Sequence, residues 1–400
     1  MRHRDFRLLL TGQTVSSFGN SVSTIAVPFQ LLAIGASPIQ LGITVATETV
    51  TSIAFLLLGG AIADRVARRT LILASDLLGG FVVATVALLS ATGQLRVEHM
   101  YVAAVGLGAA DAFLSPAYSA IIPELVPADV LRAGNATRLL SRSVARIIGP
   151  TVGGLVVALI SPAAAFGIDA VTFLFSFATL LLARPARRAG LPPGSVIRDI
   201  REGFGFVFSA RWLWTTTIYF MFVNIAFAGQ SGVMTPLLVR NTIGGDARMY
   251  GAISGAYGVG TIVASIWVAQ LVTRRPGRVM FAFEILAAAC VLAIGLVPVL
   301  PVVLVSFVLM GVALSSSTVI WEALLQRQIP PRMLGRVSSI NLLGNSLINP
   351  VAPLVAAALI GAVGPASTFL IAGVYALVLV SVAVLASPLR NMEEAAFTAT

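Results

Sequence analysis

The chain has 400 residues, 58% of them hydrophobic and only 10% charged, with 26 basic residues, all arginine, and a net charge of +10. Soluble domains carry about 25% charged residues, so this composition excludes a soluble globular fold and predicts a polytopic membrane protein. The arginines form short clusters between apolar runs, which argues against a nucleic-acid binder, and the lone Cys290 excludes an internal disulfide.

A membrane-spanning helix needs about 20 apolar residues. Twelve such spans are expected, roughly 7–34, 38–63, 70–92, 99–122, 133–158, 162–183, 212–238, 248–272, 278–297, 300–328, 335–362 and 366–387. The first is long and leads straight into further spans, so no cleavable signal peptide is expected. It carries a polar stripe, Gln13, Ser17, Asn20 and Thr24, suited either to lining a cavity or to close helix packing. Span 2 holds Glu48 and span 4 holds Asp111, both deep; Glu322 in span 10 is shallower. These three are the proton-coupling candidates, because a carboxylate balanced between burial and a partner can load and release a proton. Asp111 and Arg146 lie at similar depth and could neutralise each other. Asp76 and Glu284, at equivalent places in spans 3 and 9, are expected to be ion-paired structural groups.

Span 5 is the most unusual. Arg138, Arg142 and Arg146 recur at i, i+4 and i+8, so they share one helix face within an otherwise apolar run. A charge at bilayer depth costs about 2.5–3.5 kcal/mol, so such a stripe faces water, a partner or a substrate. Above it, Gly149-Pro150-Thr-Val-Gly153-Gly154 is expected to loosen and bend the helix, giving one wall of a polar cavity a pliable upper half. Other candidate cavity residues are Asn20, Thr24, Phe113, Tyr118, Asn224, Tyr257, Trp321, Asn341 and Asn345. The loop at 184–211 is the longest, and its Arg198–Phe206 stretch reads as an amphipathic helix on the membrane surface.

Arginine placement orients the chain. With both termini cytoplasmic, 20 of the 26 fall on the inner side, against Arg96, Arg240 and Arg248 outside and the three within span 5. An internal repeat is also visible. Asn349-Pro350 stands 200 residues after Gly149-Pro150, and Asn341, Asn345 and Asn349 repeat the arginine spacing. The organisation expected is therefore all-α: an N-terminal six-helix bundle (1–183), a cytoplasmic linker with its amphipathic helix (184–211), and a C-terminal six-helix bundle (212–400). Paired six-helix repeats suit a transporter that rocks about a midplane site.

Gly60-Ala-Ile-Ala-Asp64-Arg65-Val-Ala-Arg68-Arg69 resembles the loop 2–3 signature of the major facilitator superfamily, with Ala67 where that family usually has glycine. Gly149-Pro-x-x-Gly-Gly154 resembles the span-5 signature of its antiporters. Ala112–Pro127 and Ala165–Phe173 are similar to the macrolide-efflux and enterobactin-exporter branch. The resemblance implies a cytoplasmic gate of Gly60, Asp64, Arg65, Arg68, Arg69 and Glu124, with Asp64 facing the start of span 11 near Gly335 and Arg68 bridging to Glu124. It also implies a proton-coupled exporter of amphiphilic, drug-like molecules working by alternating access. The expected partners are a small-molecule substrate, protons and the bilayer of the plasma membrane, the chain acting as a monomer with no cofactor, metal or nucleic acid. Rival readings are a dedicated exporter of an endogenous metabolite such as a siderophore, and an energy-independent lipid or solute translocator. No Ser/His/Asp set supports an enzyme, and without lysine no phosphate-binding Gly-x-x-x-x-Gly-Lys loop can form.

Overall fold

In the computed structural model the described residues are 4–63, 66–126, 130–183, 196–268, 270–391 and 397–398. The helices follow the expected spans to within a few residues: α1 Arg4–Ala33, α2 Pro38–Ala63, α3 Arg68–Ala91, α4 Val97–Leu125, α5 Leu131–Leu159 and α6 Pro162–Leu182. They continue with α7 Val196–Ser209, α8 Arg211–Gly229, α9 Thr235–Leu238, α10 Ala247–Val268, α11 Pro276–Leu296 and α12 Leu300–Gln328. The last three are α13 Pro331–Ile348, α14 Val351–Val363 and α15 Pro365–Ala386. Local chemistry sets several starts. Ser37 and Gln40 bond each other's backbone N–H as a capping box ahead of Pro38, and the Ser161 hydroxyl accepts from the Ala164 N–H before Pro162.

Among the described residues ten helices are long and apolar enough to cross a bilayer, making the chain a multi-pass, all-α membrane protein. The two remaining expected spans are the polar α1 and the split pair α13–α14. Large side chains such as Phe81, Val102 and Leu385 are 70%, 72% and 74% exposed, an arrangement that suits lipid and would drive aggregation in water.

Two departures from regular helix matter. The seventh span runs from α8 through a π-type segment (Gln230–Met234), α9 and a second π-type segment (Val239–Ile243), ending at Gly244 with φ +77°. The eleventh breaks at Asn349-Pro350. Pro350 and Pro353 remove two backbone donors within one turn, so the ladder cannot carry through. At the equivalent Gly149-Pro150 the expected loosening takes a milder form: α5 remains helical through Pro150. There only one donor is missing, and the glycines lie flush on α1. A Cβ on Gly149 would meet Ser21, and one on Gly153 would come 2.8 Å from the Val22 carbonyl.

The chain forms two compact units. The first holds residues 1–191 with 245–255. In it α1 packs on α5 and α6, α3 on α4 and α6, and α2 on α4. Its core gathers Phe6, Leu9, Ile72, Ile121, Ile122 and Leu180 from α1, α3, α4 and α6. The start of α10 closes on α5, where a Cβ on Gly154 would come 3.0 Å from the Gly251 Cα, and the Thr151 hydroxyl donates to the Gly251 carbonyl at 3.4 Å.

The second unit holds residues 192–244 and 256–400. There α11 packs on α12 and α15, and α8 on α13, α14 and α15. The stretch expected to be amphipathic is α7, which packs on α13 and α8, so the linker helix belongs to this unit; Glu202 pairs with Arg336. A two-residue antiparallel ladder joins Val272–Thr273 to Phe397–Thr398.

Candidate functional site

In the first unit, α2 and α4 cross at Gly108. A Cβ there would collide with the Glu48 carbonyl and lie 2.9 Å from the Thr51 Cβ and 3.1 Å from the Ser52 N. The bare backbone thus lets two helices meet closely, as small residues do in membranes where lipid supplies no hydrophobic drive between helices. One turn on, the Ser52 hydroxyl donates to Asp111 Oδ2 at 3.4 Å, and Glu48 lies near enough to Asp111 for their charges to repel. Both carboxylates are exposed within the unit. Asp111 makes no ion pair with Arg146. The neutralisation is therefore not formed: the hydrogen-bond partner of Asp111 is Ser52 on α2, one turn from a second acid, Glu48. A helix-face argument cannot find this, because it gives depth and direction on one helix but not which neighbour the face meets.

The arginine stripe is only partly engaged. The Arg138 guanidinium stacks over the buried Tyr118 ring at 5.5 Å and donates from Nη1 to the Ser119 hydroxyl at 3.3 Å, while its Nε has no partner among the described residues. Arg142 and Arg146 are exposed. Asn20 and Thr24 are exposed too, with the Thr24 hydroxyl on the Asn20 carbonyl, and Phe113 meets Phe55 edge to face at 6.1 Å.

Gln13 behaves otherwise. It turns into the unit and donates from Nε2 to the Ser176 hydroxyl at 2.8 Å and, more weakly, to both Asp76 oxygens at 3.4 Å; Ser176 donates to Asp76 Oδ2 at 2.7 Å. Asp76 is therefore held by neutral donors instead of the expected ion pair, and Gln13 is no cavity residue. Glu284 repeats the correction in the second unit: the Tyr219 hydroxyl donates to it at 2.8 Å, and the Ser317 hydroxyl donates to its other oxygen. Asp169 in the sixth span is not among the expected intramembrane acids. Its side chain is 1% exposed on α6 beside Thr172 and Gly19, and a lone acid in an apolar run was signal enough to find it.

Of the loop 2–3 signature, Asp64 and Arg65 lie outside the described residues, as do the side chains around Gly60 and that of Glu124. Arg68 Nη1 donates to the Ala120 carbonyl at 2.9 Å. Arg69 spans the C-terminus of α6, from Nε to the Leu180 carbonyl at 3.2 Å and from Nη2 to the Leu181 carbonyl at 2.9 Å. It thereby satisfies the Leu181 carbonyl, to which no described backbone N–H donates, and adds a second donor at the Leu180 carbonyl, which also accepts from the Ala183 N–H.

The second unit encloses a cavity of about 530 Å³ between α8, α12 and α13. Asn224, Trp321, Glu322 and Asn341 line it together with Phe220, Phe227 and Glu284; Tyr257 does not, and the Asn345 side chain lies outside those described. Trp321 meets Phe220 at 5.4 Å and Trp212 at 6.0 Å, both edge to face. Among the described residues no three His, Cys, Asp or Glu side chains converge to hold a metal ion.

These features agree with the comparisons. Residues 1–314 match the profile of transmembrane secretion effectors, a family of the major facilitator superfamily. The chain is 25% identical to the multidrug efflux pump Tap of Mycolicibacterium fortuitum over 96% of both chains. It is also 25% identical to the enterobactin exporter EntS of Citrobacter koseri, over 92% of this chain and 86% of that one. In fold it is similar to the crystal structure of the nucleoside transporter NupG, with a TM-score of 0.76 at 12% identity over 96% of this chain and 99% of the other.

Proposed function

Because the chain belongs to the transmembrane secretion effector family of the major facilitator superfamily, we propose that it is a proton-driven exporter of amphiphilic small molecules. It would work by alternating access as a monomer in the plasma membrane, with both termini cytoplasmic. The observation that carries proton coupling is the meeting of Glu48 and Asp111 across the α2–α4 crossing. Two carboxylates that repel each other across two helices are relieved when one proton is taken up between them. Both stand exposed on their unit, an arrangement that supports access for that proton from a water-filled path. An inward proton moving down 100 mV supplies about 2.3 kcal/mol, enough for a gradient near fiftyfold before any pH difference is added.

The similarity to a multidrug pump and to an enterobactin exporter supports export without choosing between a broad and a dedicated cargo. The exposed Arg142 and Arg146 favour, as a second reading, an anionic endogenous metabolite. The deciding experiment is efflux of a panel of dyes and antibiotics from proteoliposomes under imposed ΔpH. Glu48→Gln and Asp111→Asn should each abolish uphill efflux while leaving downhill flux. Full uphill efflux by both variants would refute the coupling assignment, and wild-type transport that survives collapse of the gradient would identify a passive translocator.

A further inference from the structure

The cavity of the second unit has a chemistry of its own. Among the described residues its lining contains two carboxylates, Glu284 and Glu322, and no basic side chain. Glu284 is occupied by the hydroxyls of Tyr219 and Ser317. Glu322 is exposed to the cavity and, among the described residues, makes no hydrogen bond or ion pair. It presents an unneutralised negative charge beside an aromatic wall built from Phe220, Phe227 and Trp321.

Two further groups on the same wall lack partners. Trp321 is only 4% exposed, yet among the described residues its indole Nε1–H has no acceptor and Asn341 Oδ1 has no donor. Unmet polar atoms in a buried wall are costly, and a ligand that supplies the missing partners recovers that cost. Aromatic faces favour a flat ring edge to face or offset, and they add attraction for a cation held above them.

We propose that the second unit carries a ligand subsite of its own, taking a flat aromatic molecule with a protonated amine: Glu322 receives the amine, Phe220 and Trp321 clasp the ring, and the Trp321 N–H receives an acceptor on the ligand. The proposal deepens the exporter reading by naming a cargo class, and it assigns Glu322 to cargo and not to the proton.

The test uses the purified full-length chain in detergent and two planar tricycles of the same size. One is 9-aminoacridine, cationic at neutral pH; the other is acridone, uncharged, with a carbonyl acceptor. Equilibrium dialysis should show wild type preferring 9-aminoacridine by about tenfold, the scale of one charge-assisted hydrogen bond. Glu322→Gln should erase that preference while changing acridone affinity less than about twofold, since the amide keeps shape and polarity but not charge. Trp321→Phe keeps a ring and loses the donor; it should weaken acridone roughly threefold to tenfold and 9-aminoacridine less. Unchanged melting temperatures show that the variants are folded. A preference that survives Glu322→Gln overturns the proposal, as does an equal loss of both ligands in both variants. If the binding pattern holds but wild-type proteoliposomes export neither compound, the exporter reading fails and the subsite stands. Efflux of 9-aminoacridine unaffected by Glu322→Gln sinks the subsite and leaves the exporter reading intact.

Discussion

Gly108 is the position where a single methyl group should reach from packing to function. In Gly108→Ala the new Cβ would lie 2.9 Å from the Thr51 Cβ and 3.1 Å from the Ser52 N, and it would press on the Glu48 carbonyl as well. Carbon atoms prefer about 3.5–4.0 Å, so α2 must retreat by roughly 0.5–1 Å. Two of the three obstacles are backbone atoms, which cannot rotate away. Overpacking of this kind costs about 1–3 kcal/mol, and for a unit of this size each kcal/mol lowers the melting temperature by about 2–4 °C. The expected fall is thus roughly 2–12 °C. Retreat of α2 also carries Glu48 and Ser52 away from Asp111, so uphill efflux should drop more than downhill flux. The assay is thermal unfolding of the purified chain alongside transport in proteoliposomes with and without ΔpH. Gly167→Ala is the control, because its Cβ would meet nothing within 4 Å and its melting temperature should hold or rise slightly. If Gly108→Ala matches that control in both measurements, the crossing does not position the acids and the reasoning fails.

Three further outcomes are expected. Asp76→Leu strands the Gln13 amide and the Ser176 hydroxyl in the interior and should cost about 2–5 kcal/mol, whereas Asp76→Asn, which keeps an acceptor, should cost less than half as much in the same thermal measurement. Arg69→Ala strips the Leu181 carbonyl at the end of α6 of its donor, while the Leu180 carbonyl keeps the Ala183 N–H, and should cost about 1–2 kcal/mol, with Arg69→Lys intermediate; equal stability of all three proteins would contradict the capping role. The half-exposed pair of Glu202 and Arg336 should contribute at most about 1 kcal/mol globally yet hold α7 locally. Chymotrypsin should therefore cut at Phe204 and Phe208 faster in Glu202→Arg, and the exchanged pair Glu202→Arg with Arg336→Glu should restore protection.

Much of the architecture is legible along the chain. Apolar runs of helix length place the membrane segments within a few residues, because a backbone in lipid must satisfy its hydrogen bonds within each segment. The stretches around Arg68-Arg69 and Gly149-Pro150 carry the resemblance to the family whose profile matches residues 1–314. The amphipathic stretch after Arg198 likewise declares its helix.

What the chain order could not decide is which faces meet. Gln13 belongs to a polar stripe on α1, but its partners Asp76 and Ser176 are 63 and 163 residues away, on helices whose mutual rotation no single periodicity reveals. Asp111 pairs in depth with Arg146 on paper, yet Gly108 sets the crossing that turns it to Glu48 and Ser52. Both proline sites look alike, and only the packing on α1 and a second proline at 353 separate an unbroken helix from a split one. Local sequence determines segments because each satisfies its own backbone. Between segments lipid is as apolar as the side chains, so close contacts and shared polar atoms choose the neighbours, and those exist only once the helices have come together.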